Sequence, residues 1–497
     1  MTDHLSQPVR GVGGHMLRGS MWMILLRWTI RLTGLVSTII LARILTPADF
    51  GIVAMAMIVV AMLEVLNQTG QKLAIIRLHE PTREHYDSAW TTSVLAGLII
   101  AVGILIVAPF TQRYFHEPRA ILVMQCLSLR AAIGGFENIG TADFRRELQF
   151  NKFFVYSVVP KFVSFTVTIG LAVWLRNYWA LVAGILSSQL ALTLLSYTMH
   201  PYRPRFSLAK VNEIWSFSIW TFIRSIGGYV NTQVDQIAIG GVSGAAAMGR
   251  YSVAADVATS PSREVNDPMI AVLFPVMSTL RGDELQLRAL YLRTIGWSTI
   301  ICVSMSVGVT LVVPKMVPIV LGAKWLNIEP MMGWLALAAG VSGVSSATYP
   351  LFDAIGKPHL GARLQWVRAI MLSLALFPVA YLTHSLVAIA MARLVMVTIF
   401  VPTLFFAAGR TIGISPIDYV DVVWRPFVAA AAMAVAVGGF NWLAPLPNAF
   451  GLVSDIAIGV LTFGAVITLL WKLSGSPRSA EYDLISQIDQ VVRRLVG

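Results

Sequence analysis

Long apolar stretches separated by short polar ones dominate the chain. Residues 89–110 and 451–471 each run for about twenty positions with almost no charge, long enough to cross a hydrocarbon core of about 30 Å. Reading each such stretch as a helix, bounded by turn residues and charges, predicts about fourteen spans. They fall at 20–41, 50–68, 89–110, 121–140, 153–175, 179–199, 214–240, 247–279, 293–313, 330–350, 362–382, 386–407, 423–443 and 452–472. The expected fold class is an all-α polytopic membrane protein. The eighth span is long and polar for one simple helix, so a break is expected around Pro261 or Pro268. The fourth is weak, because Arg130 and Glu137 fall in it. Pro160, Pro275, Pro314, Pro378 and Pro402 lie in or at the ends of spans and predict kinks.

Composition agrees. Of 497 residues, 56% are hydrophobic and 12% charged, and the mean hydropathy is +0.72. Soluble proteins carry about 25% charged residues. A net charge of +12 would suggest a nucleic-acid partner in a soluble protein. Here most of it is orientation charge, and no nucleic acid is expected. With the N-terminus inside, 21 Lys and Arg residues fall in cytoplasmic segments and 7 on the opposite side, which predicts both termini cytoplasmic. Residues 1–19 carry Arg10 and Arg18 but no A-x-A-like cleavage site, and read as a retained cytoplasmic tail. Cys126 and Cys302 both fall in spans and build neither a disulfide framework nor a metal site.

A shift of 198 residues superposes Ser20, Trp22, Val36, Ile39, Gly51, Ala56 and Val59 on Ser218, Trp220, Val234, Ile237, Gly249, Ala254 and Val257. It aligns span one with span seven and predicts a parallel repeat of two six-helix lobes. The expected organisation is an N-terminal tail (1–19), an N-lobe (20–199), a cytoplasmic inter-lobe loop (200–213) and a C-lobe (214–407). Two added spans (408–472) and a cytoplasmic tail (473–497) follow. In that tail Leu484, Ile488, Val491 and Leu495 recur at helical spacing, as in an ordinary terminal helix or an interfacial one.

Ionisable residues inside spans carry the functional signal, since an Arg or Lys at mid-helix costs roughly 2.5–3.5 kcal/mol on insertion scales. Arg27 and Arg31 share one face of span one. Lys161 sits beside Pro160 in span five. Span seven has Arg224, Asn231 and Asp235 on one face, and span eight has Asp256, Ser260, Arg263 and Asp267. Glu64 lies near the end of span two. Arg27, Arg31, Lys161 and Arg224 form a cationic set that suits a phosphate or pyrophosphate. The acids are as well explained by structural pairs, Asp235 with Arg224 or Asp256 with Arg263. Arg130, Arg293, Arg368 and Arg393 read as snorkelling to the interface.

No G-x-x-x-x-G-K-[ST] loop, G-x-S-x-G elbow, Cys/His cluster or D-x-D pair appears. No enzyme and no cofactor are expected. A membrane-embedded glycan polymerase or ligase stays open as the enzymatic alternative, and an ion-coupled exporter of small molecules as the transport alternative.

The stretch Leu41-Ala-Arg-Ile-Leu-Thr-Pro-Ala-Asp-Phe-Gly51, after a first span beginning at Ser20-Met-Trp22, resembles the start of the polysaccharide-transporter family. These are the Wzx-type lipid-linked oligosaccharide flippases of the MOP superfamily, related to the MATE exporters and the lipid II flippase. The loop Phe144-Arg-Arg-Glu-Leu-Gln-Phe-Asn-Lys152, the stretch Gly249-Arg-Tyr-Ser-Val-Ala with Val272-Leu-Phe-Pro275, and Leu321-Gly-Ala-Lys-Trp325 resemble further motifs of that family. The resemblance implies two six-helix lobes in a MATE-like V, in a bacterial inner membrane. It implies a cavity whose cations hold the pyrophosphate of an undecaprenyl-linked repeat unit. Arg27 and Arg31 match the family's charged face by position; Lys161 and Arg224 match by general location. The implied partners are the lipid-linked oligosaccharide, membrane lipids, a glycan polymerase and a chain-length regulator. Coupling to a proton or sodium gradient is also implied, with Glu64, Asp235 and Asp256 as candidates and Asn231, Arg263 and Asp267 as further polar lining. On this reading Arg27→Gln or Arg31→Gln abolishes surface polymer at normal protein levels, whereas Arg393→Gln leaves it intact. Polymer quantitation beside an immunoblot checks both.

Overall fold

The computed structural model describes residues 12–67, 71–78, 80–214, 219–444, 446, 448–476 and 480–483. The expected terminal helix over Leu484–Leu495 lies outside them. Fourteen long helices stand among the described residues: α1 (Val12–Ile44), α2 (Pro47–Asn67), α3 (Arg83–Phe115), α4 (Pro118–Gly135), α5 (Phe150–Leu175), α6 (Trp179–Met199), α7 (Ile219–Val242), α8 (Gly244–Thr279), α9 (Glu284–Val320), α10 (Glu329–Val344), α11 (Pro358–Thr383), α12 (Leu386–Ile412), α13 (Pro416–Leu443) and α14 (Asn448–Leu473). Each predicted span coincides with one of them, yet fourteen crossings are not established. Eleven of the described helical stretches are long and apolar enough to cross a membrane, or twelve if α4 and the bent helix after it form one span. The exceptions α7 and α8 are the helices with the polar stripes. Two local expectations are corrected. α8 runs unbroken through Pro261 and Pro268, and α4 stops at Gly135 with a 74° bend before Ile139–Arg146.

The chain forms two compact units, one of residues 1–222 with 244–246, the other of 223–243 with 247–497. The same helix pairs pack in each at an offset of six: α3 with α4 and α9 with α10, α4 with α6 and α10 with α12, α5 with α6 and α11 with α12. Small residues permit the closest of these contacts. A Cβ on Gly97 of α3 would fall 2.7 Å from the Ala131 carbonyl, and one on Gly340 of α10 would fall 2.1 Å from Ser306 Oγ of α9. The added pair α13 and α14 packs on α9 in the second unit. Lys315 of α9 pins them there: Nζ lies 2.8 Å from Asp455 of α14 and donates to Asn441 of α13 at 2.6 Å. After α14, Glu481 meets the buried Arg425 at 2.8 Å and Asp483 pairs with Arg293.

Local chemistry explains the family-like motifs. In Leu41–Gly51, Thr46 and Asp49 cap α2, with Pro47 at its first position, where a missing N–H is harmless. Asp49 Oδ2 accepts from Thr46 N at 2.9 Å and Thr46 Oγ1 at 2.6 Å, while Oδ1 accepts from Tyr178 N at the α5–α6 turn, 3.1 Å away. Leu41 and Leu45 bury against Ala172 and Ala180. Phe144 is the buried anchor of the basic loop. Trp325 is wholly buried after Gly322, whose φ of 96° few other residues adopt. Residues 200–213 are strapped to α3: Asp87 accepts from Arg205 N at 2.9 Å, Thr91 Oγ1 from Ser207 N at 3.0 Å and Ser88 Oγ from Lys210 N at 3.0 Å. Glu213 closes the strap on His85 at 2.9 Å. Its carboxyl is held below the ordinary value by hydrogen bonds first to Lys210 and then to His85.

Asp49→Ala removes the α2 cap and orphans the Tyr178 amide. We expect a loss of about 2–3 kcal/mol, read as a lower thermal midpoint of the purified protein. An unchanged midpoint contradicts this role.

Candidate functional site

In the first unit, α1 and α5 run side by side and in the same direction. The rings of Trp22 and Phe154 meet at 5.1 Å near one end, and Leu41 and Leu45 pack on Ala172 near the other. Counting 1.5 Å per residue from the Trp22–Phe154 contact puts Arg27 about 7.5 Å along, Lys161 about 10.5 Å and Arg31 about 13.5 Å. Three cations thus occupy a depth band of about 6 Å on two packed helices. Arg27 and Lys161 are exposed and make no ion pair among the described residues. Facing hydrocarbon unpaired would carry the full insertion penalty, so both side chains require water or an anion.

The fourth member of the expected set, Arg224, is not an unpaired cation. It pairs with Asp353 of the short helix Thr348–Ala354. Nor does it pair with Asp235. That acid meets Arg393 of α12, Nη1 to Oδ2 at 2.8 Å, and accepts from the wholly buried Tyr251 hydroxyl. Asn231 is a buried cross-link, its Nδ2 donating to Gly227 O and to Gln365 O of α11, each at 2.8 Å. Glu64 lies 3.2 Å from Arg130 of α4.

The snorkelling reading therefore fails for three arginines. Arg130 pairs with Glu64, Arg393 pairs with Asp235, and Arg368 donates to Ser342 Oγ of α10 at 3.0 Å. A warning was available in the sequence. In the predicted spans Arg393 stands seven residues from the start of 386–407, as far in as Arg27 stands in 20–41. On α8 the expected stripe is real but divided. Asp256, Arg263 and Asp267 are exposed, while Ser260 is buried and turns its hydroxyl to the helix's own backbone. An exposed stripe of charge on a helix of this length calls for a water-filled surface rather than lipid.

Residues 40–330 match the model of a family described as polysaccharide biosynthesis proteins. The chain belongs to that family. Among its curated relatives, the succinoglycan biosynthesis transport protein ExoT of Rhizobium meliloti (strain 1021) is 26% identical over 439 residues, covering 86% of this chain and 88% of ExoT. The lipopolysaccharide biosynthesis protein WzxC of Escherichia coli (strain K12) is 24% identical over 415 residues, covering 83% of this chain and 84% of WzxC. Among solved structures, the lipid II flippase MurJ in an inward closed conformation superposes with a TM-score of 0.72 at 14% identity, over 92% of this chain and 99% of MurJ. That likeness shows the fold. As a member of the polysaccharide biosynthesis family the chain is a multi-pass membrane protein with a MurJ-like helical fold.

Removing one partner of an enclosed ion pair strands the other charge, at roughly 3–5 kcal/mol. Arg393→Gln should therefore lower yield and thermal midpoint sharply, and Asp235→Asn in the same chain should recover most of the loss. This replaces the expectation that Arg393→Gln is silent. Equal midpoints for Arg393→Gln and wild type contradict it.

Proposed function

We propose that this protein flips undecaprenyl-pyrophosphate-linked oligosaccharide repeat units from the cytoplasmic to the periplasmic leaflet of a bacterial inner membrane, supplying exopolysaccharide, capsule or O-antigen synthesis. The observation that carries the reading is the band of Arg27, Lys161 and Arg31 on α1 and α5. A pyrophosphate and its sugars cannot enter hydrocarbon unaided, because desolvation is prohibitive. Guanidinium and ammonium groups at membrane depth replace the water a pyrophosphate loses, and the arginine fork matches its oxygens. Membership of the polysaccharide biosynthesis family and the names of ExoT and WzxC point to the same cargo class.

Alternating access needs bodies that move without melting, and the two compact units suit that role. With both termini cytoplasmic, the Lys- and Arg-rich loops face the leaflet where the cargo is made. A glycan polymerase and a chain-length regulator would take the product on the other side. Of the acids considered for coupling to protons or sodium, Glu64 and Asp235 already hold arginines. The exposed Asp256 makes no ion pair among the described residues and is the better candidate.

Deleting the gene should make cells accumulate the complete lipid-linked repeat unit and lose surface polymer. Mass analysis of extracted lipids, with drug susceptibility in parallel, decides. Normal polymer without accumulation sinks the proposal, and drug sensitivity in that background would favour a small-molecule exporter.

A further inference from the structure

The second unit holds an arginine with no counter-charge among the described residues. Arg368 projects from α11 among Ser342 of α10, Tyr349 of the short helix before α11, and two further arginines. Its Nη2 donates to Ser342 Oγ at 3.0 Å. Its Nε is enclosed and has no hydrogen-bond partner. The Tyr349 hydroxyl lies beside the guanidinium yet completes no well-formed hydrogen bond. Arg393 and Arg263 are near enough to repel it. The acids close by are committed, Asp235 to Arg393 and Asp353 to Arg224. Arg368 itself makes no ion pair among the described residues.

A part-buried guanidinium next to like charges, with an idle donor and an idle phenol, is an unfavourable arrangement unless something completes it. Water can satisfy the donors, but an anion would also offset the repulsion from Arg393 and Arg263. The surroundings add further idle groups. One turn before Arg368 on the same face of α11, Gln365 Oε1 is enclosed and unbonded, as is Asn231 Oδ1 of α7. Guanidinium and phenol donors fit the oxygens of an anion, and the idle amide oxygens fit hydroxyl donors next to it. A phosphate or diphosphate ester of a sugar has both.

We propose that Arg368, with Tyr349 and Ser342, forms an anion subsite within the second unit that takes the diphosphate of the cargo, separate from the cations of α1 and α5. This rests on the flippase reading for the identity of the ester, but not for the existence of the subsite. Each unit would then carry a cationic station of its own.

The test measures binding of farnesyl diphosphate, a short polyprenyl diphosphate, to the full-length protein in lipid nanodiscs, with farnesol as the uncharged control. With the first-unit cations silenced by Arg27→Gln, Arg31→Gln and Lys161→Gln, Arg368→Gln should weaken farnesyl diphosphate binding about tenfold or more, in keeping with the loss of a charge-assisted bidentate contact. Without ligand its thermal midpoint should equal or exceed that of the same background with Arg368 in place, since an uncompensated charge has gone. Arg368→Lys keeps the charge but loses the fork, so it should bind between the two. Farnesol should not distinguish the three proteins. Farnesyl diphosphate binding that is absent in that background, or unchanged there by Arg368→Gln, overturns the subsite, as does a lowered midpoint with intact binding. The flippase reading fails separately. Arg368-dependent binding in a protein whose deletion accumulates no lipid-linked intermediate keeps the anion subsite but assigns it another cargo.

Discussion

A charge inside hydrocarbon must have a partner or water, and the placement of each kind organises this protein. Some charges are paired across helices: Glu64 with Arg130, Asp235 with Arg393, Arg224 with Asp353, Lys315 with Asp455. These pairs act as fasteners. Their individual worth is modest, because desolvation offsets much of the attraction, but losing one partner is severe, so they enforce a particular helix arrangement. Other charges have no such fastener. Arg27, Lys161 and Arg368 carry positive charge on helices at membrane depth and make no ion pair among the described residues. That division between fastening charges and waiting charges connects the fold to the cargo.

Moving apolar side chains from lipid into a helix contact gains little hydrophobic free energy, since lipid tails are as apolar as leucine. Close approach and polar fasteners must do more of the work. Gly97 draws α3 against α4 within the first unit, and Gly340 draws α10 against α9 within the second. Asp49 joins the start of α2 to the α5–α6 turn, and the strap over residues 200–213 is bound to α3 by side chains rather than left as a free linker. The segments that resemble the polysaccharide-transporter family belong to this group. Thr46, Asp49, Phe144, Gly322 and Trp325 are caps, turns and buried anchors. Family membership is therefore read mainly from residues that build the scaffold, which is why it gives the fold more firmly than it gives the sugars.

The helices were legible because hydropathy is a local property with a long period, and every predicted span meets a helix. Charge pairing was not legible, because it depends on contacts between residues of different helices, many tens of positions apart along the chain. Arg224 and Asp235 share a helical face and looked like partners, yet each takes an acid or base from another helix. Arg393 and Arg368 read as interfacial by proximity to span ends, although within the predicted spans they stand about as far from an end as Arg27. Treating every mid-span arginine alike would have found them. The bend after Gly135 was hidden for a different reason: a short polar helix and its turn carry too little apolar periodicity to be separated from the preceding span.

On the flippase proposal, cations at membrane depth carry a diphosphate-linked glycan across the bilayer. Reconstituting the purified protein into liposomes and following a fluorescently labelled lipid-linked oligosaccharide tests it most directly, with a membrane-impermeant quencher reporting the leaflet that holds the head group. Wild-type protein should equilibrate the label between leaflets, and Arg27→Gln should slow this to near the rate of protein-free vesicles. Equilibration by wild type and Arg27→Gln at the same rate, or none above the protein-free rate for wild type, would contradict it.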